Sequence, residues 1–87
     1  MKIEVRKPTP DESGKALSWP IWEKEVSSFP WHYDEKETCL ILDGDVTVEA
    51  GGEKVSFKSG DYVIFPAGLD CVWNIKRAVK KHYKFGR

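Results

Sequence analysis

Between residues 37 and 65 the chain reads ETCLILDGDVTVEAGGEKVSFKSGDYVIF, a series of short apolar runs, each soon interrupted by a glycine-bearing turn. DGD, AGGE and KSGD are turn signals, because glycine reaches backbone angles closed to other residues and aspartate bonds to its own neighbouring backbone. The runs favour β-branched and aromatic residues and are too short for the three-and-four spacing of an amphipathic helix. They predict a meander of strands over residues 37–42, 46–49, 55–57 and 62–65, with Asp43 and Asp45 flanking Gly44 in a hairpin turn. After the loop PAGLD, residues 71–75 and 79–85 read as two more strands, and Ile3 and Val5 alternate with charged neighbours as an earlier one. A strand every eight to twelve residues with glycine and proline punctuation predicts an all-β antiparallel sandwich or barrel.

One short helix is expected before the meander. In KPTPDESGKAL, Thr9 can cap, Pro10 suits the first helical position, and Glu12 completes a Thr-x-x-Glu capping box, while Gly14 weakens the helix. The next stretch, SWPIWEKEVSSFPWHY, is aromatic but broken by Pro20 and Pro30, which mark strand starts or an edge. Eighty-seven residues make one domain spanning 1–87, with no repeat or linker. A chain of this size must use its apolar residues densely, and 40% hydrophobic residues, four of them tryptophan, supply the material.

Fourteen basic residues balance fourteen acidic ones, which argues against a nucleic-acid partner. The basic tail KRAVKKHYKFGR reads as a solvated edge strand studded with lysine. Cys39 and Cys71 are far apart in sequence, unlike the dense patterns of secreted miniproteins, so both thiols are expected to be free in a reducing, cytoplasmic setting. No apolar leader follows the charged N-terminus, and no run approaches the ~20 residues of a membrane helix, so no membrane partner is expected.

Two spacings carry more than fold. Glu37 is followed after six residues by Gly44. Gly60 is followed after five residues by Pro66, then Gly68, then after two residues by Cys71. Together these resemble the two motifs of the cupin superfamily, a small jelly-roll barrel: His-x-His, three or four residues, Glu, six residues, Gly; and Gly, five residues, Pro-x-Gly, two residues, His. Over nearly the whole chain, WPIWEKEVSSFPWHYDEKETCLILDG, GDYVIFPAGLDCVW and KKHYKF resemble small single-domain cupins of thermophilic bacteria and plants. Their family also includes ureidoglycine aminohydrolase and an ethanolamine-utilisation protein. The resemblance implies a cupin barrel. It leaves function open, because cupins range from isomerases and oxygenases to storage proteins and sensors.

In metal-binding cupins the motif histidines and glutamate hold one divalent ion. Here Glu37 stands at the glutamate position and Cys71 at the second-motif histidine. The first two ligand positions are Trp31 and Tyr33 with a three-residue gap, or Pro30 and His32 with a four-residue gap. Large aromatics seek the interior more than imidazole does, which favours Trp31 and Tyr33 inward and His32 outward. If His32 instead turns inward, Glu37, Cys71 and His32 make a three-ligand site for Zn, Fe, Mn or Ni, with Cys39 as a further donor.

Parity supplies another inner stripe. Cys71, Trp73 and Ile75 share one face of their strand; Val79, Lys81, Tyr83 and Phe85 share one face of the last, leaving Lys80, His82 and Lys84 to solvent. Lys81 is then a cation on an apolar stripe. A buried ammonium needs a partner, and the inward Glu37 is the expected one; the alternative is that Lys81 lies at the barrel mouth and snorkels to water. The leading expectation is a barrel binding a small polar metabolite, carboxylated or sugar-like, against Trp31, Tyr33, Glu37, Cys71, Trp73, Lys81 and Tyr83, with a degenerate metal site. The alternatives are a metal-dependent enzyme using Glu37, Cys71 and His32, and a structural or partner-binding domain whose barrel is filled by its own side chains. A homodimer is compatible with all three, through Trp19, Trp22 or the KIEV strand.

Overall fold

The computed structural model describes residues 2–86. Eight elements follow in order: β1 (Glu4–Arg6), α1 (Pro10–Ala16), β2 (Ile21–Lys24), β3 (Ser27–His32), β4 (Glu37–Ala50), β5 (Glu53–Lys58), β6 (Tyr62–Phe65) and β7 (Asp70–Phe85). Every strand pair is antiparallel. The two long strands form the spine, pairing from Glu37 opposite Phe85 to Glu49 opposite Val72. The free edge of β4 takes β6 along its first half and β5 along its second. The free edge of β7 takes β3 and then β2, and β1 extends β6. Each long strand thus serves two leaves, β3–β7–β4–β5 and β2–β7–β4–β6–β1, folded toward each other as a jelly-roll barrel.

The bend between the leaves corrects one expectation. DGD is not a hairpin: β4 runs through it, with register slips between Ile41 and Val46. Such bulges bend a strand and increase its twist. Gly44 sits at φ 125°, and a Cβ there would stand 2.8 Å from the Val79 Cα, so only glycine lets β4 pass β7 this closely. Asp43 fixes the corner: its Oδ1 accepts from the Gly44 N–H at 2.9 Å and from Arg77 at 3.3 Å. Residues 71–75 and 79–85 likewise join into one strand, β7. The basic tail is therefore not an edge. Like β4 it is flanked on both sides, and of its lysines Lys81 points inward while Lys76 and Lys80 are exposed.

Side chains from both leaves meet in one core. Phe57 of β5, Phe65 of β6 and Trp73 of β7 pack edge-on or tilted with ring centroids 5.5 to 6.0 Å apart, among the fully buried Val46, Val48 and Val63. Burying each such side chain is worth about 1.5–3 kcal/mol. Both Pro-bearing segments lead to strands that pair on one side only, as expected of proline.

The capping box of α1 is complete. Thr9 Oγ1 accepts from the Glu12 N–H at 3.2 Å, and Glu12 Oε1 accepts from the Thr9 N–H at 2.9 Å. Glu12 also receives both arms of the Arg6 guanidinium at 2.7 Å, which ties β1 to the helix and holds the Glu12 carboxyl down at about 2. Ala16 then packs on Leu40 and Tyr62, with Trp19 beside them, on the outer face of the β2-containing leaf. This cover overturns the solvent-face expectation for His82. Its ring is buried, with Nδ1 2.9 Å from the Trp19 carbonyl oxygen, and Lys84 lies over the Trp19 ring at 5.2 Å. Only Lys80 of that trio is exposed. Trp19 is thus partly buried against its own chain. Among the described residues no helix is long and apolar enough to cross a membrane.

Candidate functional site

The barrel is not filled to its end. A cavity of about 670 Å³ opens beside the β2–β3 edge. Trp22 and Lys24 from β2, and Phe29 and Trp31 from β3, form one wall. Tyr33 and Glu37 stand at the strand junction opposite, and Trp73, Lys81, Tyr83 and Phe85 of β7 complete the lining.

Local geometry explains why these side chains converge. The second-motif loop clamps the backbone of Tyr33: the Gly68 N–H donates to the Tyr33 carbonyl at 2.6 Å, and the Tyr33 N–H donates to the Leu69 carbonyl at 2.9 Å. The Tyr33 ring is thereby laid flat on Phe65, 4.8 Å away and tilted by 10°. Glu37 opens β4 between Phe65 and Phe85, with the inward parity shared by Cys39 and Ile41. Trp73 faces inward from β7 with Phe29 stacked on it at 6.1 Å and Trp22 edge-on at 6.0 Å.

The ionic pair lies at the floor of this cavity. Lys81 Nζ donates to Glu37 Oε2 at 2.9 Å, and both side chains are 5% exposed or less. The ammonium also lies 4.8 Å from the Trp22 ring centre and 4.6 Å from that of Trp73. Taking both charges out of water is costly, and one carboxylate alone seldom offsets it. Two aromatic faces on the cation add attraction that grows with desolvation. The pairing expected from parity is therefore present, and Lys81 does not snorkel to the mouth.

Two buried polar atoms here, Glu37 Oε1 and Trp73 Nε1, make no close, well-aligned hydrogen bond among the described residues; the Tyr33 hydroxyl is the group that faces both residues. The Tyr33 phenol feels both groups. Burial first and the Glu37 charge second raise its pKa, while the Trp73 N–H acts in the opposite sense. Tyr33 is thus a protonated, neutral hydroxyl.

The remaining sequence-derived site residues divide. Trp31 points to the cavity side but is half exposed at the rim, 6.5 Å from Tyr33 and edge-on to it. Tyr83 lines the wall, half-buried. Cys71 is inward but not on the cavity wall. Its Sγ donates to the Trp31 carbonyl at 3.6 Å, and it borders a separate hollow beside the β4–β5 turn. Burial first, then the Asp70 charge, push its thiol pKa up. His32 lies on the outer face, with Nδ1 2.7 Å from Asp70 Oδ1 and Nε2 3.5 Å from Asp34. The four-residue-gap alignment, which needs His32 beside Glu37 and Cys71, is not what the chain adopts.

A divalent ion of the cupin kind does not fit these donors. The Lys81 ammonium already holds Glu37 Oε2, placing positive charge beside the carboxylate an ion would need. Cys39 is fully buried, and its thiol is pushed up to about 12 by that burial. Among the described residues no group of three or more His, Cys, Asp or Glu is arranged to share an ion. The alternative ligand set of Glu37, Cys71 and His32 is not brought together for Zn, Fe, Mn or Ni.

Trp22, Phe29 and Phe85 belong to the cavity but not to the set expected from sequence. Phe85 carried a signal, since it shares the inward parity of Lys81 and Tyr83. Trp22 stands directly opposite Lys81 in the β2–β7 register, as Phe29 stands opposite Trp73 in β3–β7. Neither register is fixed by a short turn, so local sequence offers no sign of these pairings.

Comparison with known proteins gives a consistent picture. The EutQ-like cupin domain matches residues 11–83. A DUF861 family protein from Thermotoga maritima superposes with a TM-score of 0.92 at 46% identity, over 97% of this chain and 99% of that one. The EutQ protein of Clostridium difficile superposes with a TM-score of 0.71 at 23% identity, over 76% of this chain and 52% of that one, a likeness of fold. Acetate kinase EutQ of Escherichia coli is 29% identical over 73 residues, and the chain spans 30% of that protein's length. With its jelly-roll spine, its two motif turns and a family match over most of its length, the chain belongs to the EutQ-like cupins.

Proposed function

We propose that this protein binds a small polar metabolite in the β2–β3 cavity, without a metal. The observation that carries the reading is the Glu37–Lys81 pair, buried yet placed at the floor of an open, aromatic-walled space. Ligand sites combine apolar walls with a few polar groups that fix orientation, and this cavity has that composition. A purely structural barrel would gain more by filling the space with apolar side chains than by keeping an ion pair, which is seldom more stabilising than a hydrophobic substitute.

The Escherichia coli relative is named an acetate kinase, which puts acetate among the first compounds to test. Phosphoryl transfer by that longer protein is not carried over to a chain spanning 30% of it. The test is a thermal-shift and tryptophan-fluorescence screen of small sugars, polyols, carboxylates and amines. A compound present at 100 times its Kd adds ~2.7 kcal/mol of stability, a rise in Tm of roughly 10–20 °C. The same compound should change the emission of Trp22 and Trp73. A panel that leaves both Tm and fluorescence unmoved would remove this reading.

A further inference from the structure

Given that the reading above holds, the charge and shape of the ligand follow from what the cavity leaves accessible. The floor is closed to an incoming charge: Lys81 and Glu37 neutralise each other, and both side chains are 5% exposed or less. Of the two lysines in the lining, Lys24 is the accessible one. It stands opposite the buried Val79 in the β2–β7 register, so its side chain leaves β2 on the face that carries Trp22. At the last residue of that strand it stays exposed. Its Nζ lies 5.6 Å from the centre of the Phe29 ring, and no carboxylate among the described residues pairs with it. Glu23 borders the same opening, but parity turns its side chain to the outer face, opposite the exposed Lys80. The mouth is left with one unpaired positive charge.

An exposed ammonium over a single ring gains little from it and keeps much of its water. On its flexible four-carbon stem it can turn toward an anion. The walls decide what that anion is attached to. Trp22 of β2 and Phe29 and Trp31 of β3 present flat rings, none of them fully buried. Such rings pair offset or edge-on with another ring and gain more than burial alone gives. A ring resting against Phe29 brings a group on its own edge within the sweep of Lys24. A sugar would leave Lys24 unpaired, and an amine would meet it with like charge. A short acid such as acetate would pair with it but leave the rings uncovered. The cavity, about 670 Å³, is of the size that holds one small ring compound.

We infer that the cavity takes a flat aromatic carboxylic acid, its ring against Trp22, Phe29 and Trp31 and its carboxylate at the mouth, paired with Lys24.

The test titrates the intact chain with benzoate and phenylacetate, against acetate, benzamide, benzylamine and glucose, and follows the backbone amides by nitrogen–proton NMR. The expected result is saturable binding of an aromatic acid, with shifts in β2 and β3, about fivefold tighter than benzamide and tighter than acetate. Because the pair lies at the surface, high salt should erase the preference for acid over amide. Lys24→Met keeps the stem without the charge and should bring that preference to about one. Lys24→Glu should turn it in favour of benzylamine. The position is exposed, so neither change disturbs the core. An aromatic acid that binds Lys24→Met as tightly as wild type, or wild type no more tightly than benzamide does, overturns the assignment. So does saturable binding of glucose, acetate or benzylamine with no response to either aromatic acid, an outcome that leaves metabolite binding intact. No saturable response to any probe removes both readings.

Discussion

Replacing Lys81 by methionine tests the centre of the molecule most directly. Methionine keeps most of the aliphatic stem and its packing between Trp22 and Trp73, so the change is chiefly one of charge. The Glu37 carboxylate is then left buried without its counter-ion. Removing one partner of a buried pair costs about 3–5 kcal/mol, and the attraction of the ammonium to the two indole faces disappears as well. A domain of this length has a total stability of roughly 4–13 kcal/mol, so the loss is a large share of the whole. At about 4–8 °C per kcal/mol, Tm should fall by at least ~12 °C. The control is the double variant K81M/E37L, in which an apolar side chain of similar volume replaces the carboxylate. With no charge left to desolvate, it should recover to within about 1 kcal/mol of wild type or exceed it. The assay is urea unfolding followed by tryptophan fluorescence, with unchanged m-values confirming an unchanged native state. A single variant within ~1 kcal/mol of wild type, or a double variant no more stable than the single, would refute the argument that the pair is buried and mutually dependent.

Three further outcomes are expected. Gly44→Ala should destabilise by roughly 2–6 kcal/mol, from strain at a positive φ and from its Cβ pressing on the Val79 backbone, whereas Gly51→Ala, which meets open space, should cost about 1 kcal/mol; urea titrations separate the two. Neither cysteine should react readily with a thiol reagent near neutral pH. Because Cys39 ionises in the unfolded chain near 9 but in the folded one only at about 12, stability should decline as pH rises through that window, and Cys39→Ala should flatten the decline. The Glu12 carboxyl is depressed from 4.5 to about 2 by Arg6, so its contribution is present above pH 4.5 and is lost as pH falls toward 2; the protection factors of the α1 amides, corrected for the intrinsic exchange rate at each pH, should fall in that range, and Arg6→Ala should remove the transition.

The fold was legible because its determinants are local. Capping at Thr9, the glycines of the AGGE and KSGD turns and the inward lean of Ile3 and Val5 each act within a few residues, and each appears where the sequence indicates it. What local reading could not show is where a strand passes through a turn signal. Asp43–Gly44–Asp45 has the chemistry of a hairpin. Yet Gly44 is needed for close approach to Val79, far along the chain, and the strand continues. The same blindness put His82 in solvent. Its exposure depends on Trp19, seated beside Ala16, Leu40 and Tyr62, bringing its carbonyl against His82 of β7, a contact distant in sequence that no periodicity reports. In the candidate site, parity sufficed for Glu37 and Lys81, since each strand announces which residues face in. It did not suffice for Trp22 and Phe29, whose place depends on the edge register of β2 and β3.

The two motif turns and the side chains they hold are separable, and this explains how a cupin barrel can retain its geometry while its donors change. Gly44 and the Pro66–Gly68 loop act through the backbone: one sets the bend of β4 against β7, the other fixes the Tyr33 main chain with two hydrogen bonds. Neither contact depends on what the Tyr33, Glu37 or Cys71 side chains are. With an aromatic at 33 and a thiol at 71 in place of imidazoles, the Glu37 carboxylate would be left among apolar rings, a position no buried charge holds without compensation. Lys81 supplies that compensation from the neighbouring strand β7, and Trp22 and Trp73 stabilise the cation from two sides. The pair neutralises the floor but uses only one carboxylate oxygen. The carboxylate's other polar neighbour is the neutral hydroxyl of Tyr33, whose main chain the second-motif loop holds in place.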